Sequence, residues 1–146
     1  MSLRNWLKNG WLVEHDPTKA EMADLLAIVE RDLNTAEIEG QNTYWQFAMA
    51  YNGALQAATV ALAASGYRAA RDSHHHRVIE SLALTIGAEA DLVRIFDTFR
   101  KKRNIGTYQR VGSVSDKEAA EMLKLAKNLQ ERVILWLQSS HADLFP

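Results

Sequence analysis

The chain of 146 residues has no cysteine, which excludes disulfides, thiolate metal sites and thiol nucleophiles. That absence suits a reducing compartment, and a cytoplasmic location is the expectation. Only two prolines occur, Pro17 and Pro146, so nothing breaks a helix in the long interior. No apolar run approaches the length of a bilayer span, and Met1-Ser2-Leu3-Arg4-Asn5-Trp6 lacks the apolar stretch of a signal peptide. No membrane association is expected. A net charge of -1 argues against a globally basic DNA-binding protein but leaves room for a local basic patch. Also missing are a glycine-rich phosphate loop, a zincin histidine pair, a nucleophile elbow and the Glu-x-x-His pairs of di-iron bundles. No cofactor or metal site is therefore expected.

What is present is helical pattern. Residues 3–13 suit a short amphipathic helix carrying Trp6, Leu7 and Trp11. Asp16-Pro17 reads as a helix start, and Met22, Leu25, Leu26, Val29 and Leu33 follow at helical spacing. Asn42 or Thr43 caps an alanine-rich second helix ended by Gly66. Ser73 begins a third with Val78, Ile79 and Leu82, and a fourth runs from about Glu89 through Phe96 and Phe99. Ser115-Asp116-Lys117-Glu118 has the form of a capping box before a last helix with Met122, Leu129, Val133 and Leu137. The short connections predict an all-α, antiparallel helical bundle of about five helices. Its body spans 16–140, with an N-terminal extension over 1–15 and a tail over 141–146.

The densest chemistry lies in Phe99-Arg100-Lys101-Lys102-Arg103-Asn104-Ile105-Gly106-Thr107-Tyr108. On a helix turning about 100° per residue, Arg100, Asn104 and Tyr108 fall along one stripe with Arg103 beside them. A guanidinium fork fits phosphate, an amide can orient it or a 2′-hydroxyl, and a phenol can stack a base. Arg103, Asn104 and Tyr108 are the central candidate site residues. Arg100, Lys101, Lys102, Asn52 and His76 are candidate binding residues. A structural tie between helices explains the same residues. Asn52, in an apolar helix, either bonds to the Arg103-Asn104 region or meets water at the stripe's edge. Three adjacent residues in His74-His75-His76 point apart on a helix and do not converge on a metal, whereas His76 could face the basic motif.

The order of these segments resembles HEPN domains. Arg31-Asp32-Leu33-Asn34-Thr35-Ala36 looks like the end of that family's first helix. Ala50-Tyr51-Asn52-Gly53-Ala54-Leu55-Gln56-Ala57-Ala58 looks like its second, and Gly66-Tyr67-Arg68 is similar to the turn that follows. His76 lies where many members have a histidine, and Arg103-Asn104 matches the signature motif of the fourth helix. The resemblance covers roughly residues 20–138 and implies a dimer of bundles with the arginine facing a cleft. In nuclease members the motif arginine and histidine cleave RNA without metal, the 2′-hydroxyl attacking the neighbouring phosphate. Here Tyr108 stands in the histidine's place, and a phenol titrating at about pH 10 is a poor base. The resemblance thus implies RNA or nucleotide binding and makes Arg103, Asn104 and Tyr108 the candidate catalytic residues, with cleavage in doubt. It also implies toxin–antitoxin or defence pairs, a homodimer, and a nucleotidyltransferase-like antitoxin as partner. The alternative is a non-enzymatic dimerisation or adaptor module using Trp6, Trp11 and Trp136.

Overall fold

The computed structural model describes residues 2–108 and 114–146, and for 105–108 the backbone alone. Among the described residues the chain forms six α-helices: α1 Leu3–Lys8, α2 Lys19–Ala36, α3 Thr43–Ala64, α4 His74–Glu80, α5 Ala90–Tyr108 and α6 Asp116–Ser140. Short 3-10 turns follow α4 (Ser81–Ala83) and α6 (Ala142–Leu144). The all-α helical bundle expected from the pattern is the fold. No helix among the described residues is long and apolar enough to cross a membrane.

α3 is the axis of the bundle. It packs chiefly against α2 and α6, and Ala50, Ala54, Ala57, Ala58 and Ala61 are fully buried along it. Alanine's short side chain lets neighbouring helices come close while keeping the best helix propensity. Gly53 marks the tightest point, because a Cβ there would lie 2.8 Å from Leu33 Cδ2 of α2. Leu33 is itself buried, so it has little room to yield. From α6, Met122, Ala126, Leu129, Val133 and Leu137 face inward at helical spacing, each fully buried.

The caps show where sequence signals held. Asn42 Oδ1 accepts from the Tyr44 amide at 2.8 Å and opens α3. Both bonds of the Ser115–Glu118 capping box form, at 3.1 and 2.9 Å. The expected start at Asp16-Pro17 is corrected by two residues. Thr18 is the N-cap of α2, its hydroxyl accepting from the Glu21 amide at 3.1 Å. Glu21 does not close a capping box, because its carboxylate holds His15 Nε2 at 2.7 and 2.8 Å.

Two features depart from the helical expectation. The helix expected over 3–13 stops at Lys8, and Leu12–Glu14 forms strand β1, antiparallel to β2 at Tyr67–Ala69. Leu12 pairs with Ala69 and Glu14 with Tyr67, so the strand just after α3 reaches back to the N-terminal segment. Strands of three residues are too short to show the alternation that marks a strand in sequence. Ser73 sits at the N-cap of α4 but makes no side-chain cap, since its φ of 54° is left-handed. A non-glycine residue held there stores about 1–3 kcal/mol, which the packing of α4 must offset.

Tryptophan placement also resolves. Trp6 is buried and meets Trp11 edge-to-face at 5.7 Å, and the Arg77 guanidinium of α4 lies 3.7 Å from the Trp11 ring centre. Trp136 is half-buried with His141 at 4.8 Å. The openly exposed tryptophan is Trp45, at 59%.

Candidate functional site

α5 carries an apolar stripe of Val93, Phe96 and Phe99 into the core. Arg100 and Arg103 continue that stripe, seven residues beyond Val93 and Phe96 respectively. Both arginines are consequently half-buried, whereas Lys101 and Asn104 are exposed. The sequence stripe of Arg100, Asn104 and Tyr108 is thus not the one that turns inward; the inward pair is Arg100 with Arg103. The Tyr108 side chain lies outside the described residues.

Arg103 faces α3. Its guanidinium carbon is 5.3 Å from the centre of the Tyr51 ring, a cation–π contact worth about 0.5–2 kcal/mol depending on exposure. Its carbonyl accepts a long hydrogen bond of 3.5 Å from the Tyr44 hydroxyl. Tyr51 is fixed from the other side by Phe96, edge-to-face at 5.7 Å, and Phe47 meets Phe99 in the same way at 5.6 Å. The floor under Arg103 is therefore rigid and aromatic.

The Tyr51 hydroxyl lies 3.2 Å from Nδ1 of His75 at the start of α4. Burial pushes the Tyr51 phenol up to about 12, only partly offset by Arg103 and Arg100. Its proton stays on at neutral pH. Burial likewise pushes the His75 imidazole down, and the positive charges of His74, Arg103 and Arg100 push it further. With His75 neutral, a Tyr51 hydroxyl that donates to Nδ1 leaves the imidazole proton on Nε2. His75 Nε2 has no hydrogen-bond partner among the described residues.

The three histidines diverge as their adjacency requires. His74 is exposed, His75 turns to Tyr51, and His76 places Nδ1 3.1 Å from Asp97 of α5. Asp97 also accepts from Arg100 Nε at 2.7 Å, and Lys101 Nζ lies 3.8 Å away. Burial would raise the Asp97 carboxyl, but the hydrogen bonds from Arg100 and His76 outweigh it and hold the group below its ordinary value. The same bond raises the Arg100 guanidinium. A groove of about 330 Å³ beside Asp97 is lined by Glu80, Val93, Arg94, Thr98 and Lys101, and Arg103 is not part of its wall.

Not every candidate residue joins this cluster. Lys102 pairs with Glu118 of α6 at 3.3 Å. Asn52 bonds neither to the Arg103 region nor to bulk water alone: its Nδ2 donates to Asp32 Oδ2 of α2 at 2.5 Å. Asp32 is buried, and Arg31 Nε and an Arg31 terminal nitrogen each reach its Oδ1 at 3.1 Å. Asn52 thus satisfies a buried carboxylate at the α2–α3 seam. Among the described residues, no group of three or more histidine, aspartate or glutamate side chains is placed to hold a metal.

Sequence reasoning passed over Tyr51, His75 and Asp97 as site residues. A signal for His75 exists, since Val78, Ile79 and Leu82 lie three, four and seven residues on and put it on the buried face of α4. Comparison with family models, with curated proteins and with solved structures finds no match to this chain.

Proposed function

We propose that this chain binds the phosphate of RNA or of a nucleotide at the cluster formed by Arg103, Arg100, Tyr51 and His75. The observation that carries the reading is Arg103, a guanidinium laid on the Tyr51 ring beside an imidazole with a donor to spare. A half-buried cation on an aromatic floor is weakly hydrated and pre-oriented, which favours a bidentate phosphate contact. The resemblance of Arg103-Asn104 to the HEPN motif points to the same ligand class. It supports a place in a toxin–antitoxin or defence pair, as a homodimer with a nucleotidyltransferase-like antitoxin. Binding is the primary activity in this reading. Cleavage would need a proton acceptor other than Tyr108.

The test is a metal-free RNA binding and cleavage assay with Arg103→Ala alongside, and a thermal melt of both proteins. Loss of binding with an unchanged melt supports the reading. No binding to RNA or nucleotides at micromolar protein, with a large fall in melting temperature for Arg103→Ala, makes the arginine a structural tie. The adaptor alternative draws on Trp45 and Ile38, each 59% exposed, as contacts for another protein.

A further inference from the structure

We infer that His75 is the proton-linked phosphate contact of the Arg103 cluster: its Nε2–H donates to the bound phosphate, and binding draws one proton from solvent onto Nδ1, where the Tyr51 oxygen accepts it. This deepens the phosphate-binding reading and rests on it.

Two contacts on Tyr51 carry the geometry. Tyr51 stands between the two groups, with Arg103 over its ring at 5.3 Å and His75 Nδ1 at its hydroxyl at 3.2 Å. A phenol oxygen both donates and accepts, so Tyr51 serves either state of His75. With His75 neutral, the hydroxyl donates to Nδ1. With His75 protonated, the hydroxyl turns and accepts from Nδ1–H. Nε2 is a donor in both states and has no partner among the described residues.

The charges around His75 explain why the proton arrives only with the ligand. From α4 itself come His74 and the adjacent His76. From α5 come Arg100 and Arg103, with Asp97 already bonded to Arg100 and His76, and from α3 comes the neutral Tyr51. In the free protein, burial and the neighbouring positive charges hold the imidazole neutral. A phosphate between Arg103 and His75 adds a negative charge beside the ring and offsets both effects. By linkage, affinity is lowest and flat while His75 is neutral in both states, and rises as pH falls through the imidazole's ligand-bound value. A rise of one pH unit in that value on binding corresponds to about ten-fold in affinity.

The probe is a short 2′-O-methyl oligouridylate. It lacks the 2′-hydroxyl needed for cleavage, and its phosphodiesters do not titrate between pH 5 and 8. Calorimetric titrations at pH 6, in two buffers of different ionisation heat, count the protons taken up. The expected result for the wild type is net uptake of up to one proton per site, and affinity about ten-fold tighter at pH 5.5 than at pH 7.5. His75→Gln keeps a partner for Tyr51 and should bind with no uptake and a flat pH profile. Tyr51→Phe removes the acceptor for Nδ1–H and should reduce the uptake while the aromatic floor remains. Binding with no proton uptake in the wild type overturns the inference and leaves the phosphate-binding reading standing. Uptake that survives in His75→Gln and vanishes in His76→Gln moves the proton to the wrong imidazole and overturns it too. No binding at any pH sinks both readings.

Discussion

The seam where α2, α3 and α6 meet and the edge where α4 and α5 lie on α3 are built from different materials. At the seam, fully buried alanines of α3 meet Val29, Met122, Leu129 and Val133, and one buried carboxylate, Asp32, is closed off by Asn52 and Arg31. Along the edge, the apolar stripe of α5 gives way to Arg100 and Arg103, and the opposing residues are Tyr51, His75 and His76. Close packing at the seam fixes the fold. The edge instead gathers half-buried charge, with Arg100 and His76 on Asp97 and Arg103 on the Tyr51 ring. Stability should therefore be lost by changing the seam, and ligand binding by changing the edge.

The largest effect is expected at the seam. Leu129→Ala should lower unfolding free energy by about 3 kcal/mol, the transfer and cavity terms acting together, as read from denaturant titration. Asp32→Ala should follow at about 1–3 kcal/mol, because Asn52 loses its acceptor, while the largely exposed Arg31 falls back on water. Asp32→Asn should recover part of that loss. Ser115→Ala removes one half of the α6 capping box and should cost about 1 kcal/mol in a thermal melt. Arg103→Ala should cost less stability than Leu129→Ala, its cation–π contact being worth about 0.5–2 kcal/mol, yet weaken RNA binding at least about ten-fold. If Arg103→Ala instead destabilises as much as Leu129→Ala, the division between seam and edge is wrong.

The smallest expected effect is the pH dependence of stability, and it separates the same regions. His75 is held below the ordinary imidazole value of about 6.5, so the unfolded chain binds a proton there that the fold resists. Its stabilising contribution is complete above about pH 6.5 and declines as pH falls toward the folded value. Asp97 is also depressed, so its contribution is present above the unfolded carboxyl value of about 3.9 and is lost in more acid solution. Melting curves at pH 7.5 and 5.5 should differ more for the wild type than for His75→Gln. Equal shifts would show that His75 titrates alike in the folded and unfolded chain.

Much of this was readable in the residues because it is local. Helix periodicity, the Asn42 cap and the Ser115–Glu118 box depend on side chains within about one turn of each other. The basic run on α5 was visible for the same reason. Which of its members turn inward was not, because Arg100 belongs both to the i, i+4, i+8 stripe and to the continuation of Phe96, and only packing on α3 chooses between Asn104 and Arg103. The pairing of β1 with β2 joins segments more than fifty residues apart, and neither strand is long enough to announce itself.

By itself, then, the sequence determined the helical class, the caps, the alanine-rich central helix and the place of the cationic segment, since each follows from neighbours along the chain. Only the tertiary structure decided that Tyr51, His75 and Arg103 meet, that Asp97 gathers Arg100 and His76, and that Asn52 serves Asp32. Those contacts depend on how α2, α4 and α5 are set against α3. That placement follows from the volume and burial of side chains on different helices, a property of the packed whole that no local window of sequence contains.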